Sequence, residues 1–204
     1  MSTYIGTIYN DVSYYSDQVQ YGLDGNDVLA PNADNKPYFL YGGEGADDLW
    51  GYSYSDELYG GRGSDYLNGL NGNDLLEGGS GNDFLRGGYG DDLLEGGSGS
   101  DAFIFDTSLN AKHNVDKITD FQPGQDFVYL DSTIFKKAGP DGEYLKAKKF
   151  EIGKHADDKK DRIIYDDKKG VLKYDPDGTG SDKATKFAKL DSDLNLHHDD
   201  FFVI

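Results

Sequence analysis

The chain has 204 residues, 36% of them apolar, and 38 acidic against 20 basic side chains give a formal net charge of −18. That excess of anions excludes nucleic acid as a partner, because phosphates are bound by clustered cations. With no cysteine, disulfides and thiolate metal sites are excluded, and no run approaches the roughly 20 apolar residues of a membrane helix.

Residues 1–16 (MSTYIGTIYNDVSYYS) lack the basic and apolar regions of a cleaved secretory signal. Residues 12–20 end in YSDQVQ, which sets Asp17 and Val19 where later units carry Asp and Leu. Residues 22–30 (GLDGNDVLA) carry Asp27 and Leu29 in that frame; after an insertion of Pro31 and Asn32, residues 33–41 keep only Leu40. From Gly42 the chain divides into seven contiguous nonapeptides: GGEGADDLW, GYSYSDELY, GGRGSDYLN, GLNGNDLLE, GGSGNDFLR, GGYGDDLLE and GGSGSDAFI, ending at Ile104. Asp fills the sixth place of all seven (Asp47, Asp56, Asp65, Asp74, Asp83, Asp92, Asp101), and Leu or Phe fills the eighth. This segment holds 18 of the 28 glycines and 13 acids, with Arg62 and Arg86 as its only bases.

Each unit reads as a turn, GGxGxD, followed by a three-residue strand with one inward side chain. Glycine permits backbone angles that a Cβ forbids. One buried Leu cannot hold a unit alone, so the units must stack as a solenoid. Two units make a coil, which sets residues 18 apart directly above one another at roughly 4.8 Å. Asp47, Asp65, Asp83 and Asp101 then line one edge, and Asp56, Asp74 and Asp92 the other. Carboxylates so close repel unless protonated or bridged by a cation. Carboxylates and turn carbonyls are hard oxygen ligands, which suit Ca²⁺ better than Zn²⁺, Cu²⁺ or Mg²⁺. Seven units give five stacked pairs, and five Ca²⁺ nearly balance the segment's 13 acids and two arginines.

The motif GGxGxDxUx resembles the RTX (repeats-in-toxin, haemolysin-type) calcium-binding nonapeptide. The resemblance implies an all-β protein: a parallel β-roll, that is, a right-handed β-solenoid, with a C-terminal β-rich cap. It implies about five Ca²⁺, each held by Asp and the second- and fourth-place carbonyls of one unit, and by Asp and the first- and third-place carbonyls two units on. The five sets are Gly43, Gly45, Asp47, Gly60, Arg62 and Asp65; then Gly61, Gly63, Asp65, Gly78, Ser80 and Asp83; then Gly79, Gly81, Asp83, Gly96, Ser98 and Asp101; on the other edge Leu70, Gly72, Asp74, Gly87, Tyr89 and Asp92; and Tyr52, Tyr54, Asp56, Gly69, Asn71 and Asp74, where two tyrosines replace glycines. A sixth set is Leu23, Gly25, Asp27, Gly42, Glu44 and Asp47.

Residues 105–131 resemble the segment that caps the roll in serralysin-type proteases, lipases and mannuronan epimerases, where Asp120 and Asp126 would supply further ligands. The ending HHDDFFVI resembles the uncleaved C-terminal signal of type I secretion. The expected layout is an N-terminal arm (1–21), a β-roll (22–104) and a cap (105–204). The resemblance implies export through the type I machinery and folding on Ca²⁺ outside the cell, without catalysis. The alternatives are a calcium-dependent adhesin or polysaccharide-binding module, or the export module of a larger enzyme, which the roughly 20 residues before the first good unit disfavour.

Other signals are weaker. Asp175–Gly180 (DPDGTG) resembles the start of an EF-hand loop, but Lys186 stands in the twelfth place, so a hairpin turn is expected. His113, His155, His197 and His198 belong to no catalytic motif. Trp50, Tyr59, Tyr66, Leu75, Phe84, Tyr89 and Leu93 should face outward, either packing on the cap or arm or forming a binding face.

Overall fold

The computed structural model describes residues 3–13, 17–32 and 36–204; residues 14–16 of the first diverged unit and 33–35 of the decayed one lie outside the described residues. The N-terminal strands are β1 (Thr3–Ile5), β2 (Val12–Ser13), β3 (Val19–Asp24) and β4 (Val28–Leu29). The repeats form β5 (Phe39–Glu44), β6 (Asp48–Trp50), β7 (Glu57–Arg62), β8 (Tyr66–Asn71), β9 (Leu75–Ser80), β10 (Phe84–Tyr89), β11 (Leu93–Ser98) and β12 (Ala102–Phe105). The C-terminal half adds β13 (Asp116–Ile118), β14 (Phe127–Leu130), β15 (Glu143–Tyr144), β16 (Phe150–Ile152), β17 (Ile163–Asp166), β18 (Val171–Tyr174), β19 (Thr185–Lys189) and β20 (Phe201–Val203).

Strands alternate between two parallel sheets. One runs β1-β3-β5-β7-β9-β11-β13, the other β2-β4-β6-β8-β10-β12-β14-β20. Within the repeats the offset is 18, as in Leu58 opposite Leu76 and Leu67 opposite Leu85. The architecture is therefore the all-β parallel solenoid that the nine-residue period predicts. The eighth-place side chains meet between the sheets: Leu29, Leu40, Leu49, Leu58, Leu67, Leu76, Leu85, Leu94 and Phe103 are fully buried.

Three features depart from the sequence expectation. Most repeat strands have six residues rather than three, because places one to three pair with the coil above, as Gly61 does with Gly79. Only places four to six remain as the turn. At the N-terminus Gln18 and Gln20, not Asp17 and Val19, take the sixth and eighth places, because Gln20 pairs with Leu40. Asp11 lies below Asp27, since Val12 pairs with Val28. Gln20 and Ser13 are fully buried and hydrogen-bonded at 2.7 Å, a polar pair that ends the Leu ladder.

The third departure is that the C-terminal half prolongs the roll. β13 stacks on β11 with Asp116 above Asp92, and β14 stacks on β12 with Asp126 above Asp101. β19 then pairs with β13, and β17, β18 and β19 form an antiparallel meander. The terminal Phe201 and Val203 are buried in β20, which pairs with β14 and β15. The DPDGTG segment lies in the turn between β18 and β19, as expected for a hairpin.

Candidate metal centre

The turns build two ladders of carboxylates. On the first edge each Asp Oδ1 accepts the backbone N–H of the sixth-place residue one coil earlier: Asp27 from Asp11, Asp47 from Asp27, Asp65 from Asp47, Asp83 from Asp65, Asp101 from Asp83 and Asp126 from Asp101. On the second edge Asp56 accepts from Tyr38, Asp74 from Asp56, Asp92 from Asp74 and Asp116 from Asp92. Tyr38 stands in the Asp place of the decayed unit.

The second oxygen is unusual. Oδ2 of Asp27, Asp47, Asp65, Asp74, Asp83, Asp92 and Asp101 is buried without a hydrogen-bond partner. A buried unpaired carboxylate oxygen is costly, so this row is where a cation fits. Desolvation by burial, reinforced by Asp83 and Asp47, pushes Asp65 up to about 7. Burial, with Asp92 and Asp56, pushes Asp74 up to about 8. Burial also raises Asp47 and Asp83 to about 6. Burial and the Asp91 charge raise Asp92, although its contact with Asp116 lowers it, and burial and the Asp92 charge raise Asp116.

The glycines show what surrounds these oxygens. A Cβ on Gly60 would strike both Asp65 Oδ2 and the Gly78 carbonyl oxygen; one on Gly42 would strike Asp47 Oδ2 and the Gly60 carbonyl. The same pairing recurs as Asp83 with Gly96, Asp74 with Gly87 and Asp27 with Gly42. Second- and fourth-place carbonyls aim up the stack: Gly43 and Gly45 at Gly61 and Gly63, Gly61 and Gly63 at Gly79 and Gly81, Gly79 and Gly81 at Gly97 and Gly99. On the second edge Leu70 and Gly72 aim at Gly88 and Gly90. The third-place carbonyls of Glu44, Arg62, Ser80, Tyr89 and Ser98 already accept fourth-place N–H groups at 2.7–2.9 Å. Among the described residues no three His, Cys, Asp or Glu side chains converge. An ion here must therefore draw on carbonyls, which suits a hard, oxygen-coordinated cation.

The candidate sets differ in this respect. The sets ending at Asp65, Asp83, Asp101 and Asp92, and the N-terminal set of Asp27 and Asp47, all pair two unpartnered Oδ2 atoms. In the last, Leu23 adopts the glycine-like φ of 83°. The set with Tyr52 and Tyr54 does not. Asp56 Oδ2 accepts the Tyr52 N–H at 2.7 Å, the Tyr52 carbonyl accepts from Asn71, and β6 stops at Trp50. Asn71 and Gly69 remain in β8, with the Gly69 carbonyl beside Asp56. Asp120 and Asp126 are also engaged: Asp120 accepts the Gly96 and Gly97 N–H groups, and Asp126 Oδ2 accepts from Gln122. Gln125 and Thr107 bind the Gly99 and Gly88 carbonyls, so cap side chains stand at the last turns.

Sequence reasoning missed Asp11 and Asp116. Both were visible as Asp two residues before an inward position, Asp116 in the string DKI before Ile118. A shortened coil after Asp11 and an insertion before Asp116 hid their register. Of the outward residues, Phe84, Tyr89 and Leu93 are exposed; Tyr21, Tyr41 and Tyr59 stack at 4.8 and 4.9 Å. Among the histidines, His198 Nδ1 lies 2.8 Å from the Leu145 carbonyl and His197 Nε2 lies 3.1 Å from the Asn195 amide.

The register and the carboxylate-and-carbonyl turns define a calcium-type β-roll. Residues 41–76 and residues 68–103 each match the family model of the RTX calcium-binding nonapeptide repeat (4 copies). No curated protein matches the chain. Among solved structures it is similar to the AlgE6R3 subunit from the Azotobacter vinelandii mannuronan C5-epimerase, at 26% identity over 77% of each chain and a TM-score of 0.32; the fold stands on the strand register. Among the described residues no helix is long and apolar enough to cross a membrane.

Proposed function

We propose that the protein is a secreted, non-catalytic calcium-binding β-roll that folds when Ca²⁺ enters the turns outside the cell. The observation that carries this is the row of seven buried, unpartnered Asp Oδ2 atoms, set among carbonyl oxygens. The proposed ions lie between Asp47 and Asp65, Asp65 and Asp83, Asp83 and Asp101, Asp74 and Asp92, and Asp27 and Asp47. Bound Ca²⁺ supplies the charge compensation that these oxygens lack; the chain supplies the coils, the carboxylates and the aimed carbonyls.

At low Ca²⁺ the ionised ladder opposes stacking, which leaves an extended chain able to thread the type I machinery. Near-millimolar Ca²⁺ would fill sites with dissociation constants of about 10⁻⁴–10⁻³ M, and binding energy becomes folding energy. Asp47, Asp65 and Asp83 each belong to two sites, so filling is cooperative. The proposed division is a roll over 22–104, prolonged by β13 and β14 of the 105–204 cap, with the arm (1–21) contributing the first coil. The test is far-UV circular dichroism from excess chelator through a Ca²⁺ titration, with Mg²⁺ as control. A steep gain of β signal with Ca²⁺ alone is expected; a roll already folded in chelator overturns the switch.

A second reading, calcium-dependent polysaccharide binding at a cell surface or matrix, is favoured by the exposed rings of Phe84 and Tyr89 at the two ends of β10. It belongs to these rings rather than to the tyrosine stack, because Tyr41 has both ring faces against Tyr21 and Tyr59. A polymer pull-down that fails in Ca²⁺ removes this reading.

A further inference from the structure

We infer that the N-terminal end of the roll is a self-association surface, which takes a second copy of this chain edge to edge across a two-fold axis. The inference rests on the calcium-folded roll proposed above. β1 ends one sheet and β2 ends the other, and among the described residues no strand lies beyond either. Such an edge presents unpaired backbone N–H and C=O groups, a template for another strand.

Its side chains do not defend it. The four most exposed large apolar side chains among the described residues all belong to this terminal coil: Tyr9 (72%), Ile5 (65%), Ile8 (64%) and Val12 (57%). Tyr4, which pairs with Gln20 in the inward row, is only partly buried, whereas the inward leucines from Leu29 onward are fully covered. Terminal repeats of a solenoid normally carry a polar outer face; among the described residues this one exposes Ile5, Ile8, Tyr9 and Val12 instead.

Charge identifies the partner. In a chain of net −18, Asp11 is the only charged side chain in residues 1–16, and its Oδ2 is held by the Thr7 N–H and hydroxyl. Two such ends can approach with little repulsion. The edges at the opposite end, β15 and β16, carry Glu143 and Glu151 and stand next to Lys146, Lys148, Lys149 and Lys154, the charged edge that blocks pairing. A head-to-tail contact would set the neutral edge against that charged one. A two-fold contact sets identical neutral edges together and closes on itself. Ile5 and Val12 would then extend the outward rows begun by Tyr21 and Val28 onto the partner.

The test is sedimentation equilibrium of the full chain in saturating Ca²⁺, with circular dichroism run in parallel. The expected mass is about 45 kDa, twice the 22.5 kDa of one chain. Ile5→Lys and Val12→Lys should each raise the dimer dissociation constant at least tenfold without changing the β signal or the Ca²⁺ midpoint. Ile152→Lys, on the cap edge, should leave the dimer intact. Because the chain has no cysteine, Val12→Cys should form an intermolecular disulfide, which covers the case in which a lysine variant fails to fold. A folded wild-type monomer, or a dimer that survives both lysine variants, overturns the inference. Failure to fold in Ca²⁺ would instead refute the calcium reading.

Discussion

Replacing Asp65 by Asn should act in opposite directions with and without calcium. Asp65 is 1% exposed, its Oδ1 accepts the Asp47 N–H at 2.8 Å, and its Oδ2 has no partner. Its carboxyl is raised from an ordinary 3.8 to about 7. At 1.36 kcal/mol per unit, holding it ionised in the metal-free roll costs about 4 kcal/mol, comparable with the lower end of a whole domain's stability, about 5–15 kcal/mol. Because the folded pKa lies above the unfolded one, the contribution to metal-free stability is fully present below about 4 and is lost as pH rises through about 7. Asn removes the charge, keeps the Oδ1 acceptor, and puts an amide donor beside the Gly78 carbonyl. In chelator at pH 8, Asp65→Asn should therefore stabilise the roll, by up to about 4 kcal/mol from the charge alone. In Ca²⁺ it removes a ligand shared by two proposed sites, so more calcium is needed to fold and cooperativity falls. The assay is the far-UV circular dichroism β signal in chelator as pH falls from 8 to 5, where Asp65→Asn should gain signal at higher pH than wild type, followed by Ca²⁺ titration of both proteins. Superimposable curves for variant and wild type in both conditions would refute the argument that the unpaired Oδ2 is the calcium-dependent element.

Three further outcomes follow from single positions. Leu70 holds a φ of 70° in a place that glycine fills in most other units, so Leu70→Gly should relieve strain of about 1–2 kcal/mol, less the packing lost with the side chain. The check is urea denaturation in saturating Ca²⁺, where a destabilised variant would contradict the strain. Tyr52→Gly with Tyr54→Gly frees the turn that now donates to Asp56 Oδ2 and should add one bound Ca²⁺ by native mass spectrometry; unchanged stoichiometry would show that this edge cannot take an ion. Leu67→Ala empties a fully buried rung and should cost about 2–5 kcal/mol, seen as a loss of urea resistance in Ca²⁺.

Much of the roll was legible from the residues because the period is strict. Asp at every sixth place and Leu at every eighth, repeated from Asp47 to Phe103, assign both the carboxylate ladders and the buried row, and stacking physics then gives the 18-residue register that the strands adopt. The consequence of Tyr52 and Tyr54 was also readable as a position without glycine. Its outcome was not: that the Tyr52 N–H turns onto Asp56 depends on where the backbone goes once the left-handed conformation is denied.

The ends of the ladders were hidden for a different reason. Asp116 lies 24 residues after Asp92, and Asp126 lies 25 after Asp101, where the repeats use 18; Asp11 lies only 16 before Asp27. A linear period fails at the first insertion or deletion. The stack is indifferent to loop length as long as each strand returns to pair with the one below. The same holds for HHDDFFVI, which reads as an isolated tail but supplies Phe201 and Val203 to a sheet whose preceding strand lies some 70 residues earlier. Composition and spacing thus assign the chemistry of each coil, while closure in space assigns where the coils begin and end, because hydrogen bonding between strands depends on proximity and not on position along the chain.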